Sequence, residues 1–223
     1  MKDIPDLLEQ LIECFARDVS ELCNNMAHHQ KKTQEVRDKC LCITSNESPI
    51  FLKDYKESKG LAHNALTTDS HNFKINNKTH LPLHIIICDE LIRMKKTQPS
   101  MCDYLIGKVS SGDLLLMCEL KKINNQYYDD ELAKAKSQIQ RTFELLHNNC
   151  DIKDVICVYG VIGLILTLEN TIMCRSFKRF TKPNKKYANR CITLDCENCE
   201  TKIRTFVTNS ITIENKEPFV QIQ

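Results

Sequence analysis

Asp103, Glu119 and Lys121 are the side chains whose types and spacing suit chemistry on a phosphate. Asp103 opens an apolar run, CDYLIGKV, and Glu119 and Lys121 close a second, DLLLMCELKK, with Ser110-Ser111-Gly112-Asp113 as a turn between them. A hard divalent cation prefers oxygen ligands and keeps several waters, so one or two carboxylates on rigid strands plus a substrate phosphate make a sufficient site. Asp103 and Glu119 supply that pair, and the carbonyl of Leu120 offers a third protein oxygen. Glu119 and Lys121 are two apart, so on a strand they point to the same side of the sheet. There the ammonium is placed to orient or help deprotonate a water, or to neutralise charge that builds on the phosphate. Hydrolysis of a phosphodiester with Mg2+ or Mn2+ is the reaction these parts suit best.

The elements that must position these groups follow from periodicity. Pairing the two runs across turn 110–113 sets Val109 opposite Leu114 and Asp103 beside Leu120, one step from Glu119. Leu114, Leu116 and Cys118 on one face and Leu115 and Met117 on the other imply a strand covered on both sides, hence a central one. Asp129 and Asp130 open a helix to about His147, with a stripe of Leu132, Ala135, Ile139, Phe143 and Leu146, and acids at the positive end of its dipole. A strand is expected before the hairpin, in LHIIICDELIR from Leu83, and another after the helix at Val155–Val161, which makes a mixed sheet with helices against it. The apolar stretch Val155–Leu168 holds two glycines, falls short of the ~20 residues of a membrane-spanning helix, and reads as two buried strands.

Toward the N-terminus, Leu7, Leu8, Leu11, Ile12, Phe15, Val19, Leu22 and Met26 recur at helical spacing over 6–26. Residues 28–80 are polar, with apolar islands at Cys40 to Ile43 and Ile50 to Leu52, and read as an insertion. Beyond Leu164–Leu168 and Thr171–Phe177, short strands are expected at Cys191–Leu194, Lys202–Val207 and Ser210–Ile213. The expected organisation is a core over 1–178 and a small β-rich extension over 179–223 packed on that core.

The order CDYLI, turn, LLLMCELKK, short loop, helix ELAKAKSQIQRTFELL resembles the PD-(D/E)XK nuclease superfamily, whose restriction-endonuclease-like core carries an Asp on one strand and a Glu-x-Lys on the next. The likeness covers roughly residues 83–162. It implies that Asp103 and Glu119 bind metal, that Lys121 assists the nucleophile, and that Gln138 matches a glutamine some members carry on the following helix. It implies an α/β (α+β) fold, a restriction-endonuclease-like mixed central sheet flanked by helices. It also favours DNA over RNA, and suggests an endonuclease in defence, restriction or repair. Two departures stand out: Ser100-Met101-Cys102 lies where a proline often precedes the Asp, and Thr142 lies four after Gln138 where an aromatic is found in some members. Some branches add an acid from the first helix, for which Glu9, Glu13 and Glu21 are candidates.

The formal net charge of +2 does not by itself point to nucleic acid. Its distribution does more: Arg175, Lys178, Arg179, Lys182, Lys185, Lys186 and Arg190 fall in an acid-free stretch interleaved with Phe177, Phe180 and Tyr187, suited to a phosphate backbone. Thirteen cysteines with an acidic N-terminus, MKDIPDLLEQ, and no signal-like apolar run suggest a reducing, cytoplasmic setting and no membrane, with Cys14, Cys88, Cys118 and Cys157 as core thiols. Cys191, Cys196 and Cys199 present a Cys-x2-Cys with a third thiol upstream, a candidate structural Zn2+ site whose fourth ligand would have to be Cys174 or a distant histidine. Two alternatives to an enzyme remain: a catalytically inactive nuclease-fold binding or scaffold protein, and a zinc-containing interaction protein. A homodimer or a partner subunit is compatible with either.

Overall fold

The computed structural model describes residues 7, 9–13, 31, 34, 42–53, 73–88, 101–108, 114–122, 128–150, 152, 157–165, 189–196, 199, 201–214 and 217–219. Among these residues the order is β1 (Cys42–Ser45), β2 (Ile50–Leu52), β3 (Phe73–Asn77), β4 (Leu83–Ile87), β5 (Tyr104–Lys108), β6 (Leu114–Lys122), α1 (Tyr128–Asn149), β7 (Cys157–Ile165), β8 (Arg190–Cys196), β9 (Thr201–Thr208), β10 (Ser210–Glu214) and β11 (Glu217–Phe219). A seven-stranded mixed sheet runs β1-β4-β5-β6-β7-β9-β8, and a four-stranded sheet runs β11-β10-β3-β2. The fold is therefore α+β, rich in strand. No helix among the described residues is long and apolar enough to cross a membrane.

β6 lies in the middle of the larger sheet, antiparallel to β5 and parallel to β7. Its leucine-rich run is explained by cover on both faces. Leu115 and Met117 join Ala135, Ile139, Phe143 and Leu146 of α1, together with Leu7, Leu11 and Ile12 of the helical residues at the N-terminus. Leu114, Leu116, Cys118 and Leu120 face the other way, onto Leu52, Phe73, Ile75, Ile211 and Ile213 of the smaller sheet. The molecule thus stacks helix, sheet and sheet, with the expected helix present and its expected stripe buried.

Four expectations are corrected. First, the hairpin register is Tyr104↔Cys118 and Leu105↔Met117, one residue away from the expected pairing, so that one further step sets Asp103 opposite Glu119 rather than Leu120. A one-residue slip reverses every side chain relative to its partner, and the observed register is the one that puts both acids on the same face. Second, Cys157–Ile165 is a single strand running through Gly160 and Gly163. A Cβ on Gly160 would lie 2.4 Å from Thr205 Oγ1 and 3.0 Å from Ile139 Cγ2, and one on Gly163 would lie 2.6 Å from Leu120 Cδ2 and 2.7 Å from Phe73 Cδ2. These glycines allow close packing on both faces and do not break the strand.

Third, the polar segment 28–80 supplies β1 to the larger sheet and β2 and β3 to the smaller one. Phe73, Ile75 and Asn77 are buried with polar residues alternating between them, a period-two signal in a stretch dominated by Asn and Lys. Fourth, the C-terminal strands are not appended to a core that ends near 178. β9 pairs in parallel with β7, β8 closes that same sheet, and β10 pairs in parallel with β3.

Candidate active site

The expected residues meet on the helix-facing side of the larger sheet, between β5, β6 and α1. Asp103 Oδ2 accepts a hydrogen bond of 2.7 Å from the Leu120 amide. Lys121 Nζ donates to Glu119 Oε1 and, at 3.0 Å, to Gln138 Oε1. Gln138 Nε2 in turn donates at 3.0 Å to the Met101 carbonyl. The period-two spacing of Glu119 and Lys121 on β6 places both against α1, and Gln138 reaches them from the side of the helix that carries the buried stripe. The contact of Leu120 is through its N–H to Asp103, in a positioning capacity distinct from the carbonyl ligand expected from sequence.

All three charged groups are buried: Asp103 is 4 % exposed, Glu119 0 % and Lys121 7 %. A buried ion pair is compensated only where hydrogen bonds satisfy the remaining polar positions; Gln138 supplies one of these to Lys121, while the Leu120 amide serves the separate carboxylate of Asp103. The field of the acids is felt nearby. Burial pushes the Cys118 thiol well above its ordinary range, and Cys102, Asp103 and Glu119 push it further in the same direction.

Residues directly opposite on neighbouring antiparallel strands have Cβ atoms about 4.5–5.5 Å apart, close enough for two carboxylates to share one ion. The donor set, hard oxygens on rigid strands, fits a hard divalent cation. Among the described residues no group of three or more His, Cys, Asp or Glu side chains gathers to hold a metal. A cation here would therefore take two protein carboxylates and draw its other oxygens from water and substrate. Glu9 and Glu13 are on the exposed side of the N-terminal helical residues, opposite the buried Leu7, Leu11 and Ile12. Glu21 lies outside the described residues.

Of the basic stretch, Arg175, Lys178, Arg179, Lys182, Lys185 and Lys186 lie outside the described residues, while Arg190 begins β8. Following the register from Glu119 to Ile162, Val207 and Arg190 puts that arginine in the same row of the sheet. At about 4.8 Å per strand it stands roughly 14 Å from Glu119. Arg190 Nη2 lies 3.5 Å from the Tyr128 hydroxyl at the start of α1, and its buried Nε has no hydrogen-bond partner among the described residues.

The three C-terminal thiols do not converge. Cys191 and Cys196 are five apart on one strand, so they point to opposite faces and are roughly 16 Å apart. Cys191 is exposed, with Arg204 Nε donating to its sulfur at 3.4 Å. Cys196 is buried on the helix side, and Cys199 closes the turn after it with its amide 3.3 Å from the Cys196 carbonyl. Burial, then Cys199 and Glu144, push the Cys196 thiol up to about 12.

Sequence reasoning missed Thr142. It is fully buried, its hydroxyl accepts from the Cys102 amide at 2.8 Å, and it donates to the Gln138 carbonyl at 2.7 Å. A hydroxyl inside an apolar stripe, one turn beyond Gln138, was the available signal. Compared with known proteins, the chain matches no family model, no curated protein and no solved structure.

Proposed function

We propose that this protein is a metal-dependent nuclease that hydrolyses phosphodiester bonds in nucleic acid, DNA before RNA, with Mg2+ or Mn2+. The observation that carries this reading is the convergence of Asp103, Glu119, Lys121 and Gln138 on one face of the sheet. The order hairpin, helix and parallel strand around them supports the restriction-endonuclease-like arrangement that the sequence resembles. Asp103 and Glu119 would hold the cation, which when bound neutralises charge on the phosphate. Lys121 supplies a proton donor within reach of the same pocket of charge, and Gln138 fixes the direction of its ammonium. Arg190, in the same row and on the same face, adds a cation roughly 14 Å from Glu119, on the side of the sheet where a polyanion needs cations.

The burial of these groups favours a second reading, a catalytically silent protein of this fold that binds nucleic acid or serves as a scaffold. One experiment separates the two. Plasmid, linear and single-stranded DNA and RNA are incubated with the protein in Mg2+, Mn2+ or EDTA. Cleavage that requires metal and disappears in folded Glu119→Gln is the expected result. Binding with no cleavage in any metal establishes the second reading instead.

A further inference from the structure

Two of the three residues that lead into β5, Met101 and Cys102, carry backbone groups bonded by side chains of α1 and not by the sheet ladder. Met101, Cys102 and Asp103 are all buried, and they precede the first paired residue of the strand, Tyr104. A buried backbone N–H or C=O without a partner costs about 1–3 kcal/mol, so the partners these groups find decide how firmly the segment is held. The Asp103 carbonyl accepts from the Cys88 amide at 2.9 Å. The Met101 carbonyl accepts from Gln138 Nε2, and the Cys102 amide donates to Thr142 Oγ1. Gln138 and Thr142 are four apart on α1 and therefore share a face. The Thr142 hydroxyl also donates to the Gln138 carbonyl, so both of its hydrogen-bonding roles are used inside this cluster.

We propose that Thr142 is a positioning residue for Asp103, acting with Gln138 as a two-point clamp by which α1 grips residues 101 and 102. The consequence is geometric. Gln138 also receives Lys121, so a single helical turn sets the ammonium and the Asp103 carboxylate relative to each other. With Cys102 and Met101 fixed from the helix side and the Asp103 carbonyl fixed by Cys88, the carboxylate is aimed at the Leu120 amide and held beside Glu119. Threonine suits this place because its hydroxyl is short enough to reach the backbone of the adjacent segment from a fully buried position on the helix. The proposal rests on the reading of Asp103 and Glu119 as a metal pair for its functional meaning, while the clamp itself is measurable without metal.

The test is amide hydrogen exchange, followed by NMR, on the metal-free full chain of wild type, Thr142→Val and Thr142→Ser. Valine keeps the branched shape and loses the hydroxyl, and serine keeps the hydroxyl. A general loss of stability speeds exchange along β6 together, whereas release of Asp103 speeds Leu120 beyond its neighbours. In Thr142→Val, Leu120 is expected to exchange at least about tenfold faster after correction for the change at Met117, with Thr142→Ser close to wild type. Equal changes at Leu120 and Met117, or a serine variant as fast as the valine one, overturn the proposal. If Thr142→Val does not fold, Gln138→Met carries the same comparison, because it releases the Met101 carbonyl, and unchanged Leu120 exchange there overturns it. A Mn2+ titration of the same proteins adds the functional arm: affinity is expected to fall about tenfold in Thr142→Val and to stay within about twofold in Thr142→Ser. Where wild type binds Mn2+, an unchanged affinity in Thr142→Val also overturns the proposal. A wild type that takes up no Mn2+ removes the metal reading of Asp103 and Glu119, and the exchange result alone then decides the role of Thr142.

Discussion

Lys121 donates to Glu119 and to Gln138 together, so its charge is held at one end by a carboxylate and at the other by a neutral amide. Removing one member of a buried ion pair leaves its partner's charge in a low-dielectric interior, and such losses run to about 3–5 kcal/mol. Lys121→Met is therefore expected to destabilise the fold by that amount in urea unfolding, and adding Glu119→Gln to it is expected to recover a large part of the loss. A double variant no more stable than Lys121→Met would show that the pair does not act as a pair. The same reasoning governs the choice of inactive variant: Glu119→Gln keeps a hydrogen-bond acceptor for Lys121 but leaves that ammonium buried without its counter-charge, so a loss of the proposed cleavage there reports chemistry only where circular dichroism shows the variant folded. At this scale the site was largely legible, because types two apart on an apolar strand must share a face. Thr142 was not, since its position in the stripe says that it is buried but not that the backbone of residue 102 would come to meet it.

At the scale of elements, β7 shows how a correct composition signal acquires the wrong meaning. Gly160 and Gly163 look like interruptions of an apolar run, yet each marks a place where a neighbour comes too close for a Cβ. Gly160→Ala forces a methyl group against Thr205 and Ile139, and overpacking of this kind costs about 1–3 kcal/mol. Because the two nearest atoms belong to the Thr205 side chain, the double variant Gly160→Ala, Thr205→Ala is expected to recover most of that loss in thermal or urea unfolding. Equal stability of the single and double variants would place the strain elsewhere. The elements read most securely were α1 and β6, where a long helical stripe and a run of apolar residues covered on both faces leave little choice. The register of β5 on β6 was off by one residue, since it depends on how many residues the connection at 109–113 takes up, a quantity that side-chain type constrains weakly. β3 escaped notice for a different reason. It is five residues of alternating pattern whose exposed positions are polar, and its burial is supplied by a sheet assembled from distant parts of the chain.

The largest scale is where local reasoning had least purchase, because the smaller sheet joins β2 and β3 to β10 and β11 across more than 130 positions of sequence. β10 holds the center of that sheet between β11 and β3, and Ile211 and Ile213 are 1 % and 0 % exposed against the face of the larger sheet that carries Leu116, Cys118 and Leu120. An independent C-terminal extension would come away without harm. Here, ending the chain after Thr208 would remove β10 and β11, leave β3 with a single partner strand, and bare apolar side chains on the sheet whose opposite face carries the acids. Each isoleucine withdrawn from water contributes about 1.5–3 kcal/mol, so losing both, with the ladder of hydrogen bonds to β3, removes a large share of the 5–15 kcal/mol that holds a typical domain together. The truncated chain is expected to be aggregated or to lose its cooperative unfolding transition by circular dichroism, and with it the Leu120 amide protection that reports the position of Asp103. A truncated chain that stays monomeric, melts near the full-length temperature and keeps that protection would show that the smaller sheet is not needed to hold β6, and so that the acidic row is supported from the helix side alone.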